Sequence, residues 1–128
     1  MSTQGRTQIP ALVLQQRADG NAVIRLSGRL DAETCDTIEP ALDLALAQSS
    51  GHLVFDLAQV EYISSAGVRL LIKARNHRRR QDRQVVAAFA NPQALRVFDA
   101  VGKLALDALL KDQSAVDSYL ATLSGGNQ

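Results

Sequence analysis

One stretch constrains this chain more than any other: Asp56-Leu57-Ala58-Gln59-Val60-Glu61-Tyr62-Ile63-Ser64-Ser65-Ala66-Gly67-Val68-Arg69-Leu70-Leu71-Ile72. It follows the apolar run Leu53-Val54-Phe55, which reads as a buried strand ending near Asp56. It ends in apolar residues at helical spacing, and between the two stand adjacent serines, a small residue and a glycine. A strand, a short loop and a serine at a helix start present a hydroxyl outward from a buried scaffold. The function is expected there.

A chain of 128 residues forms one domain with a real core. No apolar run approaches the ~20 residues of a membrane helix, so no membrane insertion is expected. The first residues are polar and do not read as a secretory signal. Cys35 is the only cysteine, which excludes an internal disulfide and makes the cytoplasm the expected compartment. The net charge of +1 calls for no polyanionic partner. Its distribution is uneven. Seven acids and no base lie between Arg29 and Arg69, whereas seven bases and Asp82 alone occupy residues 69–83. These read first as two solvated helix faces, with mutual attraction or separate partner faces as the alternatives.

Residues 1–10 read as a loose tail, 11–123 as the domain and 124–128 as a second tail. Ala11 to Arg17 is β-prone, and Ala18-Asp19-Gly20-Asn21 reads as a hairpin turn in which Gly20 and Asn21 take positive φ. Residues 21–27 alternate as a strand, which Gly28 to Asp31 break. Cys35, Ile38, Leu42, Ala45 and Leu46 step at helical spacing, with Pro40 inside the pattern predicting a kink or a split helix. A helix is expected from about Ser65 to Gln81 and a strand over 84–90. The next helix opens at Asn91-Pro92 with Leu95, Val97, Phe98 and Val101 inward, and Gly102 caps it. A last short strand falls in 104–110 and a last helix in 112–123. The order β-β-α-β-α-β-α-β-α predicts an α/β domain whose mixed sheet is mostly parallel, with one antiparallel strand from the N-terminal hairpin.

Enzyme chemistry finds little support. The nucleophile elbow requires Gly-x-Ser-x-Gly, and here Ile63 stands where the first glycine belongs. A nucleophilic serine needs a base, yet His52 opens the strand at its opposite end and His77 lies twelve residues along the helix, roughly 18 Å away. Neither glycine-rich phosphate-loop pattern is present, so no cofactor is expected. One cysteine and two separated histidines make no metal site. The cluster Lys73 to Arg83 lacks base-reading motifs, so no direct nucleic-acid contact is expected; cations near a helix C-terminus already complement its dipole. What remains is a switch. A helix N-terminus accommodates phosphate, and a phosphate on Ser65 would expel a covering partner. Arg69, one turn on, would face back toward Ser65 and pair with that phosphate. On chemistry alone a plain N-cap serine, worth about 1 kcal/mol, is the stronger reading, although two adjacent serines allow one of each.

The residues Asp56-Leu57, Val60, Tyr62-Ile63-Ser64-Ser65-Ala66-Gly67-Val68 resemble the signature of STAS domains of the bacterial anti-sigma factor antagonist family. The likeness extends over roughly 12–123, through Gly28, Leu30 and Asp31, Asn91-Pro92, and Leu95, Phe98 and Gly102. The resemblance implies a non-enzymatic protein that binds an anti-sigma factor, usually a serine-protein kinase. That kinase phosphorylates the serine at the second helix start and breaks the complex, and a protein phosphatase restores it. Matched on Gly67, the acceptor is Ser65, with Ser64 as the alternative. The family often has Asp where this chain has Ser64, and Ser or Thr where it has Ala66. The partner surface implied comprises Asp31, Ser64, Ser65, Gly67 and Arg69. A second reading is a phosphorylation-independent STAS subunit of a lipid-transport ATPase or signalling scaffold. The STAS tail of an anion transporter is set aside for want of a membrane segment.

Overall fold

The computed structural model describes residues 11–125; the expected tail at 1–10, and residues 126–128 of the second, lie outside the described residues. β1 (Leu12–Gln16) and β2 (Ala22–Leu30) form the opening hairpin, antiparallel with Leu12 opposite Leu26 and Gln16 opposite Ala22. Only Gly20 takes a positive φ there, +88°. Asn21 instead turns inward, and its Oδ1 accepts from His52 N at 2.8 Å. The chain continues through α1 (Ala32–Gln48), β3 (Leu53–Ile63), α2 (Ser65–Arg79), β4 (Val85–Ala88) and α3 (Pro92–Val101). A 3-10 turn (Gly102–Leu104), β5 (Ala108–Leu110) and α4 (Gln113–Gly125) complete it. The sheet order is β1-β2-β3-β4-β5, parallel except for the first pair. The fold is therefore the α/β architecture expected from the element order.

Period-two alternation sorts β3 between two cores. Phe55 and Leu57 pack with Ile24 and Leu26 under Ile38, Leu42, Leu71 and Phe98 of α1, α2 and α3. Val54 joins Val86, Ala88, Val116 and Leu120 beneath α4 on the other face. A strand covered on both faces needs a continuous apolar run, which is what residues 53–55 supply.

Several features differ from the sequence reading. β2 does not break at Gly28 but runs to Leu30, and β3 runs past Asp56 to Ile63. Two register shifts, between Arg25 and Ser27 and between Gly28 and Arg29, each place one extra residue in β3. Such bulges erase the alternation by which a strand is recognised. The expected serine loop thus shrinks to Ser64 alone. Pro40 neither splits nor ends α1, which is one helix through Gln48. Pro40 and Asp36 are both exposed, so the carbonyl deprived of its N–H partner faces water. In α3, Phe98 is buried and Val97 and Val101 pack partly buried as expected, but Leu95 is 45% exposed and Ala94 is buried in the stripe with Phe98. α2 ends at Arg79, two residues earlier than expected, and α4 extends into the expected tail as far as Gly125.

Candidate functional site at the carboxyl end of the sheet

β2 and β3 finish side by side, with Leu30 paired to Ile63, and the next residue of each strand caps a helix. Two helix N-termini therefore open together at the carboxyl edge of parallel strands, where α/β sheets place their sites. At the first, Asp31 Oδ1 accepts from Thr34 N at 3.0 Å while Asp31 N donates to Thr34 Oγ1 at 3.0 Å. This capping box holds the Asp31 carboxyl below its ordinary range, chiefly through the Thr34 N–H. At the second, Ser64 Oγ accepts from Ala66 N at 3.2 Å and donates to Leu30 O at 2.8 Å; the same carbonyl accepts from Ser64 N at 2.9 Å. Ser64 is half-buried and its hydroxyl is committed. Ser65, the first residue of α2, is exposed, and among the described residues its hydroxyl makes no hydrogen bond. One serine caps the helix and its neighbour stands exposed.

Gly67 does not belong to the surface. It is buried, and a Cβ there would lie 2.6 Å from Ile63 Cγ1, 2.9 Å from Leu30 Cβ and 3.1 Å from Leu30 O. The glycine lets α2 press against the ends of β2 and β3, which corrects its expected place among partner-facing residues. Arg69 is exposed and has neither an ion pair nor a hydrogen bond among the described residues. A cation near a helix N-terminus stands at the unfavourable end of the dipole, so the helix gives no reason for it. Ser65 and Arg69 line one groove of about 520 Å³ between α2 and α3, walled by Ile72, Val97, Ala100 and Val101. The two side chains face the same groove without bonding to each other.

Three contributors escape sequence reasoning. Gln93 bonds both backbone groups of Ile63, at 2.9 Å each. Asn91, read only as a helix start, also donates to Val60 O and Glu61 O. The Arg29 guanidinium stacks 4.4 Å from the Tyr62 ring centroid at the rim. Only Asn91 had a signal, its position before Pro92.

A family profile described as "Mlab, STAS domain" matches residues 13–111. The chain belongs to the STAS domain family. BtrV of Bordetella bronchiseptica, named as an anti-sigma factor antagonist, is 24% identical over 106 residues, covering 83% of this chain and 91% of that protein. An anti-sigma factor antagonist from Mycobacterium paratuberculosis shares 25% identity, with a TM-score of 0.69 over 84% of this chain and 91% of that one. The Bacillus cell fate determinant SpoIIAA in its phosphorylated form shares the fold, with a TM-score of 0.65 and 20% identity over 85% and 99% of the two chains.

The two histidines and much of the basic cluster of this STAS domain lie elsewhere and make structural bonds. His52 precedes β3 at the far end from Ser64, and its Nδ1 accepts from Gln84 N at 3.0 Å. His77 Nδ1 stands 3.1 Å from Arg78 Nη1 near the end of α2. Much of the basic cluster is engaged. Lys73 pairs with Glu39 and Asp43, both at 2.7 Å, and Arg75 with Asp107 at 3.1 Å. The acidic and basic helices thus attract each other, the reading placed second on sequence. Arg78 is fully buried, donating to Gly51 O, Leu46 O and Ser49 Oγ at 3.0, 3.3 and 2.7 Å. No helix among the described residues is long and apolar enough to cross a membrane, and no group of three or more His, Cys, Asp or Glu among them is placed to hold a metal.

Proposed function

We propose that this STAS domain is an anti-sigma factor antagonist switched off by phosphorylation of Ser65. The observation that carries the reading is the division between the serines: Ser64 is spent on the turn while Ser65 stands exposed and unbonded one residue later. Its relatives' names supply the partner class, an anti-sigma factor, and SpoIIAA supplies the precedent of a phosphorylated form. The unphosphorylated face offers an apolar groove beside Ser65, into which partner side chains pack. A serine-kinase partner bringing ATP transfers the γ-phosphoryl group to Ser65 Oγ; the hydroxyl proton leaves to the kinase's base and ADP departs. This chain contributes only the acceptor hydroxyl and is not itself the enzyme. The phosphate adds about −1.5 to −2 charges at a helix N-terminus, which tolerates them, with Arg69 one turn away as a counter-ion. Charge and bulk on a surface that the partner must desolvate expel it, and a phosphatase reverses the change.

A second reading, a STAS subunit that binds its partner without phosphorylation, uses the same face. The profile match, described as Mlab rather than as an antagonist, favours keeping it. One experiment separates them: incubation with the serine-kinase anti-sigma factor of the same genome and Mg-ATP, followed by mass-spectrometric mapping. The switch reading expects one phosphate, on Ser65, and dissociation of the complex. A complex that survives ATP, with no phosphate on either serine, supports the second reading.

A further inference from the structure

β4 accompanies β3 only as far as the pair Asp56 and Ala88, whereas β3 continues to Ile63. Beyond that point β2 still pairs along one edge, and among the described residues no strand lies along the opposite edge. Half-buried backbone groups without partners are costly, so this edge needs substitutes. Two carboxamides at the N-terminus of α3 supply them. Asn91 Nδ2 donates to Val60 O at 3.2 Å and to Glu61 O at 3.1 Å. Gln93 Oε1 accepts from Ile63 N at 2.9 Å, and Gln93 Nε2 donates to Ile63 O at 2.9 Å. A single carboxamide thereby makes the two-bond exchange that a directly opposed residue makes in an antiparallel pair.

We infer that Gln93 is a positioning residue for the serine turn, standing in for the missing strand so that Ser65 is presented in one orientation. What Ser65 is presented for rests on the switch reading above. Asn91 has a separate reason for its place, because its Oδ1 caps α3 by accepting from Ala94 N at 2.8 Å. Gln93, at the second position of α3, has no such duty; both polar atoms of its carboxamide bond Ile63. Ile63 immediately precedes Ser64, which Leu30 O holds from the β2 side. The turn is thus gripped from two sides, and Gln93 is the side-chain grip on the α3 side. Gln93 also lines the groove that Ser65 borders, so a partner entering that groove meets the residue that orients the hydroxyl.

Residue-resolved amide hydrogen exchange on the full chain tests this with Gln93→Ala and Gln93→Glu. The reporters are Ser64 N, bonded to Leu30 O, and Ala66 N, bonded to Ser64 Oγ, because neither touches Gln93. In Gln93→Ala both exchange about tenfold faster or more, while the amides of β4 keep their wild-type rates. Gln93→Glu falls between, since a carboxylate still accepts from Ile63 N but cannot donate to Ile63 O. Phosphorylation of Ser65 by the serine kinase of the same genome slows in the same order. Unchanged exchange at Ser64 and Ala66 would overturn the inference, as would a uniform acceleration across the sheet or faster exchange with an unaltered phosphorylation rate. If the wild-type chain takes no phosphate, the switch reading fails, and the exchange rates alone still decide whether Gln93 holds the turn.

Discussion

At the residue scale, the chain resolves a choice that its sequence poses. Ser64 and Ser65 are chemically identical neighbours, and only their place relative to the end of β3 separates a cap from a presented hydroxyl. Gly67 shows the tightness of that place. Glycine in a helix ordinarily costs about 1 kcal/mol relative to alanine, so propensity alone predicts that Gly67→Ala stabilises the protein. The contacts predict the reverse, because the new methyl would meet Ile63 Cγ1, Leu30 Cβ and Leu30 O at 2.6–3.1 Å. We expect Gly67→Ala to lower the unfolding free energy by about 1–3 kcal/mol in urea titration. A stabilised variant would contradict the close packing of α2. The Ser-Ser-x-Gly pattern was legible in the sequence, and so was its position at a helix start. Which serine caps was not, because each of the two bulges in β3 moves the strand end by one residue. Nor was the burial of Gly67, which depends on how closely α2 approaches Leu30.

At the element scale, the alternation of strands and helices gave the sheet and its single antiparallel pair, since connection rules leave few other topologies. Less legible were the places where one element completes another. Gln93 and Asn91 complete β3, and Arg78 completes α1. Arg78 belongs to the run of bases read as a helix face, yet it continues the buried stripe of Leu71 and Ala74 at helical spacing. That phase was available in the sequence and was outweighed by the residue's charge. Its guanidinium satisfies Leu46 O near the end of α1 together with Gly51 O and Ser49 Oγ in the following loop. Arg78→Ala strands those acceptors and opens a cavity, with an expected loss of about 2–4 kcal/mol. Arg79→Ala, its exposed neighbour, should fall within about 0.5 kcal/mol of wild type. Equal effects in denaturant titration would contradict the pinning of α1 to α2 by Arg78.

At the scale of the whole molecule, the two histidines make stability depend on pH. Burial first, then Arg83, holds His52 below the ordinary imidazole value against the opposing pull of Asp107 and Asp19. Burial first, then Arg78 and Arg80, does the same for His77, with Asp43 opposing. Each Nδ1 faces an N–H donor, so protonation removes an acceptor as well as adding charge. The unfolded chain therefore binds protons on its histidines before the folded one does. Stability is full above about pH 6.5 and falls as pH drops through the interval down to the folded values. Unfolding free energy should be lower at pH 5.5 than at pH 7.5, and an equal or higher value at pH 5.5 would contradict the assigned geometry. The proposed switch also belongs to the whole molecule, because it needs a charge added to the surface without disturbing the fold beneath it. Calorimetric binding of the kinase-type anti-sigma factor to wild type and to Ser65→Asp, with thermal midpoints for both chains, tests that requirement most directly. A switch at Ser65 predicts affinity weakened by about tenfold or more, ~1.4 kcal/mol, with a nearly unchanged midpoint. Undiminished affinity, or weakening that follows a large fall in the midpoint, would contradict it.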